Sequence, residues 1–548
     1  MDIRTAVWLG LALLLFYLLT TSAHQPTGDE EEYVAVAENI LTRGTLAIVT
    51  PSPGTDGRSQ FTESYSKFAL GQSLLLLPVV ALQMITRAIV PVPFAFLPHL
   101  VLNFLPVFES AATCALVFLL FRLNRLGPDF HLSRSTAATA ALLTGIATQM
   151  WPSSRTLFAD NSVALLLTLA VYSLARFHRE DGGIGWAVTA AWAAAITVLC
   201  KTLFALACPA LAAYGIWAAT QKNRQGKLPK AQIVRLASLA ALPFLLVGAT
   251  QLQYNYLRYG SIWLSGYHQG RDGDFGFSTP ILVGLYGIFL SSGRSLFLYS
   301  PLCLLAFLGF RDFFKHAKAE FLLIAGASLP VVLAYAKWWS WHGGWEWGTR
   351  FYLFLIPLLM WLSVPAWRWL DQKELSLRAR NLRKVALAFL ISISVFIQLL
   401  GILIHPIAYW KMTASDLNVL QRPVYEKGVW EIRDDMPLAH FVPEFSPVAA
   451  HAWLIWATWN RNRLDEETLA AHAPWTSLNP KWAPTNVKSY LGYDVWFIGD
   501  WIGPWLEHGG SLGSMILFAL LLAGMSLFSG FKLRSYAWRS PPSPSRKA

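Results

Sequence analysis

The chain has 548 residues, of which 55% are hydrophobic and 14% charged, against a charged share of roughly 25% in soluble domains. That balance excludes a disordered chain, a coiled coil and a secreted disulfide scaffold. Four cysteines (Cys114, Cys200, Cys208, Cys303) all lie in apolar runs, so no disulfide framework or thiolate metal site is legible. The net charge of +12 belongs to loops between apolar runs, and nucleic acid is not an expected partner.

Apolar runs long enough to cross about 30 Å of hydrocarbon follow one another along the chain. They are expected at 5–22, 69–86, 88–104, 105–122, 135–151, 157–177, 186–200, 203–220, 235–254, 294–310, 321–337, 350–367, 386–408 and 512–531, about fourteen spans of an all-α polytopic membrane protein. The first run resembles a signal peptide, with Thr21-Ser22-Ala23 as a cleavage site. It is read as an uncleaved anchor, because many spans follow and Arg4 before it is opposed by Asp2. The stretch 88–122 is too long for one crossing and is split near Leu105-Pro106. Lys201 interrupts 186–220 and is placed at an outer turn, since a lysine at the bilayer centre is costly.

The stretches 122–134, 176–179, 222–235, 368–384 and 532–548 are basic and read as cytoplasmic. Residues 27–68 hold seven acids and three bases, residues 409–511 twelve acids and eight bases, and both read as extracytoplasmic. Both termini then fall on the cytoplasmic side. The organisation expected is a membrane core 1–408 with its first outer loop 23–68, an outer cap 409–511, and a last span with a basic, disordered tail 512–548. No internal repeat is evident, which weighs against an inverted-repeat transporter.

The first outer loop carries the densest chemistry. Val34, Ala37, Ile40 and Leu41 recur at helical spacing, which predicts an interfacial helix stopping at Gly44. Four acids, Asp29 to Glu32, open it, where the helix dipole favours negative charge. A solvated acidic start is the plain reading. A carboxylate just above the bilayer also suits a site that reaches a lipid head group.

Asp29-Glu30-x-x-Tyr33, followed by Ile40-Leu41-x-x-Gly44, resembles the first outer loop of GT-C glycosyltransferases. The nearest pattern is the branch of protein O-mannosyltransferases and aminoarabinose transferases. Glu63-Ser-Tyr65-Ser-Lys67-Phe-Ala-Leu-Gly71 resembles the loop-to-span junction of the same enzymes, with Ala69 where many bacterial members have proline. The stretch from Trp338 to Tyr352, with His342, Gly343, Gly344, Glu346, Gly348 and Arg350, resembles a Gly-Gly-Trp…Gly…Arg motif of bacterial GT-C-like proteins. So do Ser291 to Pro301, around Arg294, and Ser446-Pro447…His451.

The resemblance implies a GT-C fold whose outer loops carry interfacial helices, in a bacterial inner membrane. It implies an inverting transferase that moves a sugar from a polyprenyl monophosphate to a hydroxyl of an extracytoplasmic protein, lipid or wall glycan. Asp29 matches the family's base, with Glu30 as runner-up, and a carboxylate is an adequate base if the proton moves late. The leaving phosphate needs cationic partners. Lys67, Arg155, Lys201, Arg294 and Arg350 all fall on the predicted outer side, where each also suits an interface anchor. Arg350 fits best, in a glycine-rich segment that permits close backbone approach and with a guanidinium suited to bidentate phosphate contact. Tyr65 belongs to the junction motif beside Lys67.

Asp160 follows Arg155 at a short outer turn, as a helix cap or a second carboxylate facing the site. No Asp-x-Asp pair is present, so a metal-independent reaction without a cofactor is expected. His342 and Glu346 are read as sugar-binding or as braces for Arg350. A two-residue metal site would need them on one helix, and Gly343-Gly344 argues for a loop. The tryptophans at 338, 339, 341, 345 and 347 suit an interfacial belt. Three alternatives remain. A lipid-diphosphate polymerase or ligase would use Arg422, Arg433, Arg461 and His451. A transporter or flippase would use the polar residues within spans, Asn103, Glu109 and Gln251. A non-catalytic relative would keep Asp29 as a helix cap. Charge clustered at the outer interface, and an acidic loop directly after the first span, favour the monophosphate transferase.

Overall fold

A computed structural model describes the chain except residues 23–27, 54–58, 95, 124–131, 180–181, 268–275, 345, 372–375, 414–421, 427–428, 434–436, 498–505, 507–509 and 539–548. The cleavage-site residue Ala23, most of the basic loop 122–134, Trp345 and most of the C-terminal tail thus lie outside the described residues.

The chain is an all-α polytopic membrane protein with two small hairpins. Among the described residues eight helices are long and apolar enough to cross a membrane: Asp2–Leu19, Gly71–Ile89, Phe104–Phe121, Thr202–Arg224, Lys230–Tyr259, Lys318–Lys337, Leu377–Leu403 and Leu512–Ala537. The first helices set the frame. They are α1 (Asp2–Leu19), α2 (Asp29–Arg43), α3 (Gly71–Ile89), α4 (Leu97–Leu102) and α5 (Phe104–Phe121). At one end, Asn103 Nδ2 donates to Ser22 O just past α1. At the other, Arg122 and Arg134 pair with Asp2 at 3.1 and 2.9 Å. Helices α1 and α5 therefore run antiparallel, and the Ser22 end is called upper, the Asp2 end lower.

Helix α3 is apolar enough to span, yet both of its ends lie at the upper side. Near its start Gln72 Nε2 donates to Leu157 O, 2.8 Å away, and Leu157 N donates to Glu30 on α2. Near its end Arg87 comes within 4.0 Å of Glu38, also on α2. The expected span 88–104 is a 3-10 turn, Val92–Phe94, and the six-residue α4. Pro91, Pro93 and Pro98 account for this, since proline removes a backbone donor and its ring clashes with the preceding turn. One crossing, α5, thus separates the acidic loop from the basic one where three were expected, and the sidedness is unchanged because both numbers are odd.

Downstream come α6 (Arg134–Ile146), α7 (Met150–Ser153), α8 (Ala159–His178), α9 (Ile184–Cys200), α10 (Cys208–Arg224) and α11 (Lys230–Tyr259), close to the expected positions. Helix α12 (Ile281–Phe289) was not foreseen. The expected span 294–310 is divided into α13 (Leu296–Tyr299), a 3-10 turn and α14 (Leu305–His316), with Pro301 at the break. After α15 (Lys318–Lys337), the expected span 350–367 is a 3-10 turn, α16 (Leu355–Leu362) and α17 (Val364–Asp371). Helix α18 (Leu377–Leu403) is continuous.

The upper cap has its own apolar core. Helices α19 (Pro406–Met412), α20 (Pro437–Phe441), α21 (Pro447–Asn460) and α22 (Glu466–Ala471) gather Tyr409, Phe445, Trp453 and Trp475. The strands carrying Arg422 and Arg433 pair as a hairpin. The cap is tied down by Arg155, which pairs with Asp494 and donates to the carbonyls of Gly401 and Ile402 at the end of α18. Asp494 also accepts from Ser22 Oγ at 2.8 Å. The last helix, α23 (Leu512–Ala537), packs along α1.

If α3 lies along the upper face, a thiol reagent that cannot cross membranes will label Ile89→Cys and Thr42→Cys from the same side. Labelling of Ile89→Cys from the opposite side would make α3 a span.

Candidate functional site

Helix α2 opens at Gly28, whose φ of +58° is glycine-permissive, and closes at Gly44 in the left-handed region. Asp29 is its first residue. One turn on, Tyr33 is buried against Phe68, with 5.0 Å between ring centroids. This contact turns Asp29 inward, where its Oδ2 accepts from Arg350 Nη2 at 2.8 Å.

Arg350 arrives from the glycine-rich loop after α15. Gly343 and Gly344 have φ of +79° and +81°, and a Cβ on Gly343 would lie 3.0 Å from Arg350 Cγ. The guanidinium rests 3.9 Å from the ring centroid of Phe158. Burial alone would raise the Asp29 carboxyl, but Arg350, with Lys67 and Lys201 beyond it, holds it below the ordinary carboxylate range. Asp29 and Asp160 in turn hold the Arg350 guanidinium above its usual value against the pull of burial.

A second pair stands beside the first. Lys201 follows α9 and places Nζ 2.6 Å from Asp160 Oδ1 on the first turn of α8. The ammonium also lies 4.6 Å from the ring centroid of Phe351. Gly71 fixes this corner. A Cβ there would sit 2.5 Å from the backbone nitrogen of Cys200, so only glycine lets α3 press against the residue before Lys201.

Two cavities meet at the Asp29–Arg350 pair. One, of about 300 Å³, is mostly apolar and holds Asp160 and Lys201 among Phe68, Phe158, Tyr335 and Phe351. The other, of about 520 Å³, is more polar and holds Glu32, Glu63, Tyr65 and Lys67. Both are lined by Asp29 and Arg350. Among the described residues Lys67 pairs with no carboxylate; its Nζ lies 5.3 Å from the Phe68 ring centroid. Arg258, at the end of α11, holds this segment by donating to Ser66 O at 2.7 Å and Phe68 O at 3.0 Å.

The structure thus brings together Asp29, Lys67, Tyr65, Asp160, Lys201 and Arg350. It places the other candidates elsewhere. Glu30 faces away, accepts from Leu157 N at 2.6 Å, and lines a smaller chamber of about 40 Å³ with Arg155 and Glu346. Arg155 is occupied by Asp494 and the α18 carbonyls. Arg294 is fully buried, bonds the carbonyls of Gly344, Glu346 and Gly348, and lies 5.2 Å from the Trp410 ring. Burial lowers its guanidinium to about 10. Arg294 therefore organises the loop that carries Arg350.

His342 accepts from Gly344 N at 3.1 Å and stacks on His440 at 4.4 Å, and burial pushes its imidazole down to about 3. The segment is a loop, so His342 and Glu346 do not share a helix face. Burial raises the Glu346 carboxyl even though Arg350, Arg294 and Arg155 pull it down. Among the described residues no group of three His, Cys, Asp or Glu side chains is placed to hold a metal ion. His451 is a core histidine, 2.9 Å from Leu400 O. Sequence reasoning missed Arg258, Phe158 and Tyr267, the last of which lines both cavities. A lone arginine ending a long apolar helix was the one available signal for Arg258.

No protein-family model and no curated protein matches the chain. Among solved structures it is similar to ArnT from Cupriavidus metallidurans in the apo state. That match has 13% identity and a TM-score of 0.45, and covers 97% of this chain and 76% of that one. The same enzyme bound to undecaprenyl phosphate matches at 12% identity and a TM-score of 0.44, with the same coverage. The archaeal oligosaccharyltransferase AglB from Archaeoglobus fulgidus, in complex with an inhibitory peptide and a dolichol-phosphate, matches at 16% identity and a TM-score of 0.29. That match covers 100% of this chain and 56% of that one.

Because Arg350 depresses the Asp29 carboxyl, the pair adds stability that is complete above the unfolded value near 3.8 and is lost as pH falls through the folded one. Melting curves of wild type and Asp29→Asn should differ at neutral pH and converge in acid. A gap that stays constant with pH contradicts the pairing.

Proposed function

We propose that the chain is an inverting GT-C glycosyltransferase, which moves one sugar from a polyprenyl monophosphate to a hydroxyl of an extracytoplasmic acceptor. The observation that carries this reading is the Asp29–Arg350 pair standing between an apolar, lysine-bearing cavity and a polar chamber. A lipid phosphate has one apolar end and one charged end, and the sugar beyond it is polar.

The donor phosphate enters beside Lys201 and Arg350. Its oxygens compete with Asp160 for Lys201 and with Asp29 for Arg350, as charge-assisted bonds of the same kind. Asp29 then loses the contact that depresses its carboxyl and becomes a stronger base. It accepts the acceptor hydroxyl proton as that oxygen attacks the anomeric carbon from the face opposite the phosphate. The bond from the anomeric carbon to the phosphate oxygen breaks, and the electron pair leaves with polyprenyl phosphate. Lys201 and Arg350, fixed before reaction, stabilise that charge. Lys67 and Tyr65 line the chamber that receives the polar partners.

With Arg350 and Lys201 at the phosphate, the reaction is proposed to need no metal. The upper end is assigned to the extracytoplasmic side of a bacterial inner membrane, since Arg122 and Arg134 stand at the lower end. The cap within 409–511 is assigned to acceptor choice.

Purified protein in lipid nanodiscs, given a panel of polyprenyl-phosphate sugars and crude envelope acceptor, should release polyprenyl phosphate with one of them. Asp29→Asn should slow release by about 10²–10⁴-fold, the usual worth of a general base, and a chelator should leave the rate unchanged. Full activity in Asp29→Asn, or loss on chelation, contradicts the mechanism.

A further inference from the structure

Glu109 lies on α5 below the site and is 3% exposed. Its Oε2 is buried and finds no hydrogen-bond partner among the described residues. Its Oε1 contacts Ser162 Oγ on α8, and the same Ser162 Oγ lies 2.7 Å from Gln72 Oε1 on α3.

One hydroxyl carries one proton and cannot donate to two acceptors. The Gln72 amide is fixed in orientation, because its other arm faces Leu157 O at 2.8 Å and only Nε2 can donate there. Gln72 Oε1 can only accept, so both contacts are bonding only when it receives the Ser162 proton. The contact between Ser162 and Glu109 is then bonding only if Glu109 supplies the hydrogen. A carboxylate there would set two acceptors against each other at hydrogen-bond distance and leave a charged oxygen unpartnered within an apolar span, where an unpaired charge is strongly disfavoured.

We propose that Glu109 is a neutral carboxylic acid that donates to Ser162, and that it positions the Asp160–Lys201 pair without touching substrate. The donors then run in one direction: Glu109 to Ser162, Ser162 to Gln72, Gln72 to Leu157 O, and from the same residue Leu157 N to Glu30. Each link adjoins the site. Ser162 is two residues after Asp160. Gln72 follows Gly71, which presses on the Cys200 backbone next to Lys201. Next to Glu109, Ser110 Oγ donates to Asn161 Oδ1 at 3.2 Å, and Asn161 Nδ2 in turn holds Ser153 O at 2.7 Å. Three helices are thereby clamped behind one ion pair. The acid singled out in sequence as a transporter-like residue is accounted for without a translocation path.

The proton assignment is independent of the function proposed above; its consequence for lipid phosphate rests on that function. Two measurements separate them. The infrared difference spectrum of wild type minus Glu109→Gln in proteoliposomes at neutral pH should contain the carbonyl stretch of a protonated carboxylic acid. Carboxylate bands in its place would overturn the proposal, whatever the activity. In the second, undecaprenyl phosphate is titrated onto each protein. Glu109→Gln keeps a neutral N–H donor and should bind nearly as wild type, whereas Glu109→Leu should bind about tenfold more weakly, a change of about 1.4 kcal/mol. Equal binding by the Gln and Leu variants, or equal loss in both, would overturn the positioning role. If Glu109→Leu does not fold, the Gln variant and the infrared band still decide. If wild type itself fails to bind the probe, the proposed function fails while the proton assignment stands or falls on the spectrum.

Discussion

A charge removed from water must be paired or coordinated, and the upper end of this bundle is organised around that constraint. The Asp29–Arg350 pair joins the first residue of α2 to a loop more than three hundred residues later. The Lys201–Asp160 pair joins α9 to α8 alongside it. Helix α3 does not cross the bundle but lies along α2, and Gly71 lets it approach the backbone beside Lys201. The two ion pairs are therefore where the first outer loop, the helix starts and the glycine-rich loop come together. Under the proposed function, a phosphate entering there would meet cations already set in position and would release the carboxylate that the transfer needs.

The buried arginines divide into two kinds. Arg155, Arg258 and Arg294 each bond backbone carbonyls of a distant segment: the end of α18, the Ser66–Phe68 turn and the Gly344–Gly348 loop. A guanidinium has five donors in a fixed fork, and carbonyls of irregular backbone at this depth need partners. Arg350, Lys201 and Lys67 instead line the cavities. Structural arginines thus hold the segments that present the cations of the site.

Much of this was legible in the sequence. Apolar length located the long helices, eight of which among the described residues are long and apolar enough to cross a membrane. Periodicity located α2, and the first-loop and glycine-loop motifs named Asp29 and Arg350, which the fold brings to 2.8 Å. What was not legible depends on tertiary contact. Apolar composition reads α3 as a span, because lipid and a protein surface are equally good places for leucine. Arg155 and Arg294 looked like phosphate ligands, because a lone arginine at a predicted interface has the same signature whether it faces a cavity or a carbonyl. The direction of Glu30, one residue from Asp29 yet on another face, depends on where α2 begins. Glu109 was visible as an acid in a span, but its proton follows only from knowing which atoms face Ser162.

The most direct measurement is a structure of the protein with polyprenyl phosphate bound in lipid nanodiscs. The account predicts the phosphate between Lys201 and Arg350, its tail leaving through the apolar cavity, and Asp29 no longer bonded to Arg350. A phosphate bound away from both cations, or an Asp29–Arg350 pair intact with the lipid in place, would contradict it.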